Sequence, residues 1–267
     1  MIIIGELING TRKRIKQAIA DRDDGYVSGL AVRQAEAGAA FIDCNPGTVG
    51  DQEIEDIRWL VQTVQAVTDL PISFDTPNVA ALRAAFDVYE GAATPMINSI
   101  TAEQERIDAM LEFVAQSGAN IVALALSDAG MPSGCEDRVA AAVGLVDTLT
   151  GAGIDAGRIF VDPVIAPLGT DAGTGRAVMG AVTQLRAQRP GIHITCGLSN
   201  ISYGLPERKL LNRTFMTLCI GAGMDSAIID PLDEQMMATV YAAEALAGCD
   251  EWCMNYITAS RQNRLGV

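Results

Sequence analysis

The chain reads as a closed (β/α)8 TIM barrel, an α/β fold, and three observations point there. Short runs rich in β-branched residues alternate eight times with segments of helical spacing, which implies parallel strands joined by right-handed crossovers. Each unit offers a polar tip, at Glu6, Asn45, Asp75, Asn98, Ser127, Asp162, Asn200 and Asp230, and these lie 23 to 39 residues apart, so no half of the chain stands alone. The length of 267 residues suits one domain, residues 1–267, since such barrels typically take ~250 residues. An open doubly wound sheet would usually carry a G-x-G-x-x-G loop after its first strand. Glu6-Leu7-Ile8-Asn9 stands there instead.

Each element has its own signal. Ile2 to Ile4 form the first strand, with Asn9-Gly10 as a turn, and Ile15 to Ala20 and Val27 to Ala39 carry helical spacing. Phe41 to Asn45 is the second strand, stopped by Pro46-Gly47, and Ile54, Ile57, Leu60, Val61 and Val64 make one face of a helix from Glu53 to Val67. Ile72 to Asp75 is the third strand, and Thr76-Pro77 opens the next helix as cap and first position. Pro95 to Asn98 is the fourth, followed by a helix over Ala102 to Ser117 with Glu103 and Glu105 near its positive end. Asn120 to Leu126, then a helix over Arg138 to Gly151, lead to the sixth strand, Ile159 to Asp162. A Gly- and Pro-rich loop over Ala166 to Gly175 precedes a helix over Arg176 to Arg189. The seventh strand alternates Ile192, Ile194 and Cys196 with His193 and Thr195 and breaks at Gly197. Ser199 and Asn200 are expected to accept N–H groups at the start of the helix that follows. Helices over Arg208 to Gly221 and Glu234 to Ala247 flank the eighth strand, Ala227 to Asp230, and the tail is partly helical.

Composition narrows the function. A net charge of −14 opposes non-specific nucleic-acid binding, which rests on phosphate neutralisation. The basic cluster at residues 12–14 follows a very short apolar run, the reverse of a signal peptide, and no uncharged apolar stretch reaches the ~18 residues of a membrane span. A cytoplasmic protein is expected. Cys44, Cys135, Cys196, Cys219, Cys249 and Cys253 sit at unrelated positions and read as reduced core thiols, with Cys249 and Cys253 four apart on a helix and no metal site. His193, the one histidine, reads as a core residue.

Strand tips of such a barrel converge on one mouth. Here they are carboxylates, amides and a serine with no Lys, Arg or His among them. Anions would find little to hold them, whereas a flat ring with N–H donors and carbonyl acceptors fits.

The chain resembles the pterin-binding barrel family, and within it the methyltetrahydrofolate:corrinoid methyltransferases. The resemblance rests on I-I-I-G-E-L-I-N-G at 2–10, F-I-D-C-N-P-G at 41–47, F-D-T at 74–76, M-I-N-S at 96–99, V-D-P-V-I-A-P at 161–167, G-L-S-N-I-S at 197–202 and L-N-R-T-F at 211–215. It implies that Asp75, Asn98 and Asp162 hold the pterin's N–H edge and that Asn200, beside Gly197 and Ser199, faces the methyl-bearing nitrogen as the catalytic residue. It further implies tetrahydrofolate as substrate, a corrinoid (cobalamin) carried by a partner protein, and a homodimer. Tyr203 and Arg208 lie where the folate's benzoyl-glutamate tail would emerge, Arg208 as partner for its carboxylate, and Glu6, Asp43 and Asn45 form a second layer. Ser127-Asp128 stands where relatives carry Asn-Lys, and Tyr203 where they carry an amide. Two other readings stay open: a dihydropteroate-synthase-like condensing enzyme, and a non-catalytic pterin-binding partner of a demethylase complex. The first would place a Lys at the seventh tip, where Ser199-Asn200 stands.

Overall fold

Eight runs of β-forming residues do become strands: β1 (Ile2–Asn9), β2 (Phe41–Asn45), β3 (Ile72–Asp75), β4 (Met96–Ala102), β5 (Asn120–Ser127), β6 (Ile159–Asp162), β7 (His193–Ile194) and β8 (Ser226–Ile229). The computed structural model describes residues 1–266. All neighbouring strands pair in parallel, in the order β7-β6-β5-β4-β3-β2-β1-β8. The ring closes between β8 and β7, where the Ile228 N–H donates to the Cys196 carbonyl at 2.9 Å and Gly197 bridges Ile228. Helices α1 (Lys13–Asp21), α2 (Asp24–Glu36), α3 (Asp51–Gln65), α4 (Val79–Val88), α5 (Gln104–Ser117), α6 (Cys135–Gly151), α7 (Thr174–Gln188), α8 (Arg208–Ala222) and α9 (Glu234–Leu246) surround it, and α10 (Met254–Arg261) completes the tail. Among the described residues no helix is long and apolar enough to cross a membrane.

Burial explains why the mouth carries the chemistry. The large core lies between strands and helices and takes the outward-facing residues, such as Ile3, Ile42, Ile72, Ile97 and Ile121. A smaller cluster of Ile4, Phe41, Met96, Val122 and Phe160 plugs the interior of the ring. Successive side chains of a strand point to opposite faces, so the next inward position is two residues on. That step leads from Ile4 to Glu6, Phe41 to Asp43, Met96 to Asn98, Val122 to Leu124 and Phe160 to Asp162. The interior is therefore apolar below and largely polar one pleat above.

Several boundaries differ from expectation for physical reasons. β1 runs on to Asn9 through an irregularity between Gly5 and Ile8, where the Leu7 N–H leaves the ladder for the Gln34 side-chain oxygen at 3.0 Å. Gly10 then crosses the tip of β2 so closely that a Cβ there would collide with the Pro46 carbonyl. β4 continues to Ala102 because Ile100 and Thr101 still pair with β5, so α5 begins at Gln104 and not at Ala102.

Thr76 and Pro77 do not open α4. Asn78 is its cap, accepting from the Ala80 and Ala81 N–H groups, while Thr76 binds Glu53. β7 shrinks to His193–Ile194, and Leu198–Ser202 form a 3-10 turn. Neither Ser199 nor Asn200 caps the next helix, since α8 starts only after Glu207, which provides no side-chain cap.

The thiols are free. Cys44, Cys196 and Cys219 are buried as expected, but Cys249 and Cys253 are exposed at the 3-10 turn between α9 and α10 rather than on one helix. His193 is half-buried at the lower end of the barrel, stacked on Phe160 at 4.5 Å, with Nδ1 2.8 Å from the Asp225 carboxylate.

Candidate functional site

At the C-terminal mouth a cavity of about 460 Å³ is lined by residues of β1, β2, β3, β4, β5 and the turn after β7. Its floor is a hydrogen-bonded cluster. The Ser73 hydroxyl donates to Asp43 Oδ1 at 2.6 Å, the Asn98 amide donates to the same oxygen at 3.2 Å, and the Asn45 amide donates to Asp75 Oδ2 at 2.7 Å. Burial, with the Asp75 charge beside it, pushes the Asp43 carboxyl well above the usual carboxylate range, against the pull of Ser73 and Asn98. Burial raises Asp75 as well, opposed by the Asn45 amide. Two carboxyls so placed resist ionising together and favour sharing one proton.

Of the residues expected to bind the pterin, Asp75, Asn98, Gly197, Ser199 and Asn200 front this cavity. Asp162 does not. It lies behind the wall, 8% exposed, because both its oxygens are taken by backbone donors: Val164 N–H at 2.8 Å and Gly197 N–H at 3.3 Å. Burial raises its pKa to about 6 in spite of those two bonds. The expected second layer also sorts differently. Asn45 is one, buttressing Asp75, whereas Glu6 and Asp43 reach the cavity wall themselves. Glu6 is raised by burial, which outweighs Arg12 beside it, and its Oε2 lies 3.4 Å from the Ser199 hydroxyl.

The mouth is not free of cations. Arg12 reaches the cavity from the β1–α1 loop and pairs with Glu6 at 2.8 Å. A second chamber of about 410 Å³ adjoins the first across Glu6, Arg12 and Ser199, and Arg208, Lys209 and Asp230 line it. Lys209 is paired with Asp233 at 3.2 Å. Arg208 is spent largely on the turn after β7, donating to the Ser202 hydroxyl at 3.0 Å and the Ser199 carbonyl at 2.8 Å. Tyr203 is 68% exposed beneath the Arg208 guanidinium and lies outside both walls. At the rim Asp128 accepts the Gln104 N–H at the start of α5, and Ser127 bridges Gly130.

Sequence reasoning misses Asn9, Thr11, Arg12, Ser99 and Leu124 on the wall. The two-residue inward step finds Leu124; Arg12 leaves no signal because a long side chain folds back from a loop. Among the described residues no group of three or more His, Cys, Asp or Glu is placed to hold a metal ion. The floor offers the paired Asp75 and Asp43 carboxyls beside the Asn98 amide, and the wall offers hydroxyls and the Asn200 amide. That arrangement suits a neutral heterocycle presenting paired N–H groups.

Comparison with known proteins agrees with this chemistry. Residues 5–230 match the family of pterin binding enzymes. Methylcorrinoid:tetrahydrofolate methyltransferase of Eubacterium limosum is 36% identical over 100% of this chain and 98% of its own length. Methionine synthase of Mycobacterium leprae is 29% identical over 86% of this chain, which spans 20% of that longer protein. Dihydropteroate synthase of Coxiella burnetii in complex with pteroic acid superposes with a TM-score of 0.71 at 13% identity, covering 93% of this chain and 94% of that one. The enzyme of Xanthomonas albilineans in complex with 7,8-dihydropteroate gives 0.64 at 21% identity, covering 94% and 92%. The last two establish the fold alone. With a family match running from β1 to the end of β8 and a relative alike from end to end, the chain belongs to the pterin-binding enzyme family.

Proposed function

We propose that the chain is a methyltransferase moving a methyl group between 5-methyltetrahydrofolate and the cobalt of a corrinoid held by a partner protein, with the folate at the barrel mouth. The end-to-end similarity to methylcorrinoid:tetrahydrofolate methyltransferase carries this reading. The cavity fits it: Asp75 accepts from the pterin's N–H edge, the Asn98 amide meets an acceptor beside it, and Asp162 acts from behind Gly197. The corrinoid supplies a metal centre able to give up or accept a methyl group. No ligand to it comes from His193, which lies at the opposite end of the barrel in contact with Asp225 and Phe160.

The pterin nitrogen loses a proton as it gains a methyl group and regains one in the reverse direction, so the same groups serve both. Asn200 can turn either face of its amide toward that nitrogen and stabilise positive charge as it develops, while carboxylates of the mouth exchange the proton. Arg208 lines the second chamber, and in this reading the donors it does not give to Ser202 and Ser199 meet the carboxylate of the folate tail. The protein works in the cytoplasm as a homodimer, and exposed Leu246, Trp252 and Met254 offer apolar surface for a second copy.

The test is spectroscopic. Protein mixed with methylcobalamin and tetrahydrofolate should release cob(I)alamin, and protein with methyltetrahydrofolate and cob(I)alamin should consume it. Folate binding without either change would leave a binding protein, and pteroate formation from a pterin diphosphate and p-aminobenzoate would make it a condensing enzyme.

A further inference from the structure

Arg138, on α6, is fully buried, and among the described residues no carboxylate forms an ion pair with it. Burying a guanidinium costs heavily unless its donors are used. They are used on three segments. Nε donates to the Val164 carbonyl at 3.1 Å, one terminal nitrogen to the Gly134 carbonyl at 2.9 Å, and the other to the Thr174 hydroxyl at 3.4 Å. Burial lowers its pKa, countered by Asp171, Cys135 and Asp137 nearby.

Val164 is the informative contact. Its φ of 62° is left-handed, a conformation that a β-branched residue adopts only when its surroundings hold it there. Two groups hold this one residue from opposite sides: Arg138 takes its carbonyl, and Asp162 Oδ1 takes its N–H at 2.8 Å. The other Asp162 oxygen accepts from Gly197, which fronts the cavity.

We propose that Arg138 is the positioning residue for Asp162: by fixing the Val164 backbone it aims an N–H group at that carboxylate and so sets its orientation and charge behind the pterin. This rests on the reading of the mouth as a pterin site. Arg138 touches no substrate and acts only through Val164.

The electrostatics support the assignment. Burial raises Asp162 and the two backbone donors lower it. Among the described residues the titratable group that feels Asp162 is the Cys196 thiol beyond β7, itself pushed well up by burial. The facing position on β5 is Leu124, and the turn after β7 presents the backbone of Gly197. Losing the Val164 N–H therefore moves Asp162 upward, with no charge acting on it among the described residues to compensate.

The test measures tetrahydrofolate affinity by calorimetry from pH 5 to 9 on the full chain. Wild type should show an acid limb to which Asp162, raised to about 6, contributes together with the raised carboxyls of the wall, Glu6, Asp43 and Asp75, so the readout is the displacement of the limb between variants. In Arg138→Met that limb should rise by about one pH unit, with affinity at pH 7 several-fold weaker. Adding Val164→Gly, which reaches the left-handed region unaided, should bring limb and affinity back toward wild type although Arg138 is still missing. Should Arg138→Met not fold by circular dichroism, Arg138→Lys replaces it, since a lysine keeps the charge but not the three-way grip. An unmoved limb in a folded Arg138 variant, or no recovery with Val164→Gly, would overturn the proposal. Asp75→Ala serves as the separate control, since Asp75 lines the cavity itself: unchanged affinity there would remove the pterin reading.

Discussion

Asp75 and Asn200 front the same cavity from different kinds of support, and they should fail differently when removed. Asp75 stands in the floor cluster, tied to Asn45, so Asp75→Ala should abolish folate binding in a calorimetric titration. Asn200 is exposed on the turn after β7, and the proposed function has it act on developing charge. Asn200→Ala should slow single-turnover methyl transfer about 100-fold while folate affinity changes less than about tenfold. Equal losses in both would reduce Asn200 to a binding group. These residues are legible in the sequence because each closes or follows a strand pattern. Asp43 is harder to place on the wall, since the end of an apolar run does not reveal which phase of the pleat faces inward; Phe41 in the interior cluster does. Arg138 is invisible for another reason. On a helix of otherwise ordinary composition it reads as surface charge, and only the left-handed Val164 gives it a purpose.

At the level of elements, strand and helix identity follows from periodicity, and errors gather at the ends, where side-chain hydrogen bonds and not hydropathy decide. Asn78 is the clearest case. Its Oδ1 accepts from Ala80 and Ala81 N–H groups at 3.0 and 3.4 Å, and its amide donates to Glu53 at 3.0 Å, so it joins α4 to α3. Asn78→Ala should lower unfolding free energy by about 1–2 kcal/mol in urea titration. Thr76→Val should also destabilise, because Thr76 is buried and bonded to Glu53 although it caps nothing. A Thr-Pro pair ahead of a helix advertises a cap in sequence; here the helix begins later, and Asn78 takes the role. β4 and β1 overrun their expected ends because pairing with a neighbour sustains a strand beyond its apolar run.

For the whole molecule, the buried carboxyls tie stability to pH. Asp43, Asp75 and Asp162 all have folded-state values raised by burial above their ordinary 3.8. Their protons are kept more firmly in the folded chain than in the unfolded one. The stability this lends is complete below about pH 4 and is lost as pH climbs through the folded values, for Asp162 about 6. Asp43→Asn keeps the bonding pattern, with its oxygen accepting from Ser73 and Asn98 and its amide donating to Asp75. The Asp43→Asn variant should therefore melt higher than wild type at pH 8, by about 2–4 °C for each kcal/mol regained, and show little gain at pH 5. A melting difference independent of pH would contradict the shared proton. One joint in the drum also has a consequence. Beyond a two-residue β7, the main-chain bonds that fasten the ring to β8 are Ile228 N–H on the Cys196 carbonyl and a long 3.4 Å bond from Asp225 to Ile194, helped by side-chain bonds from Asp225 and Ser226. The panel carrying Asn200 hangs from this thin seam, while the carboxyl floor stands on strands stitched along their length. Fewer main-chain bonds hold that side of the ring than hold the floor, so local opening costs least there.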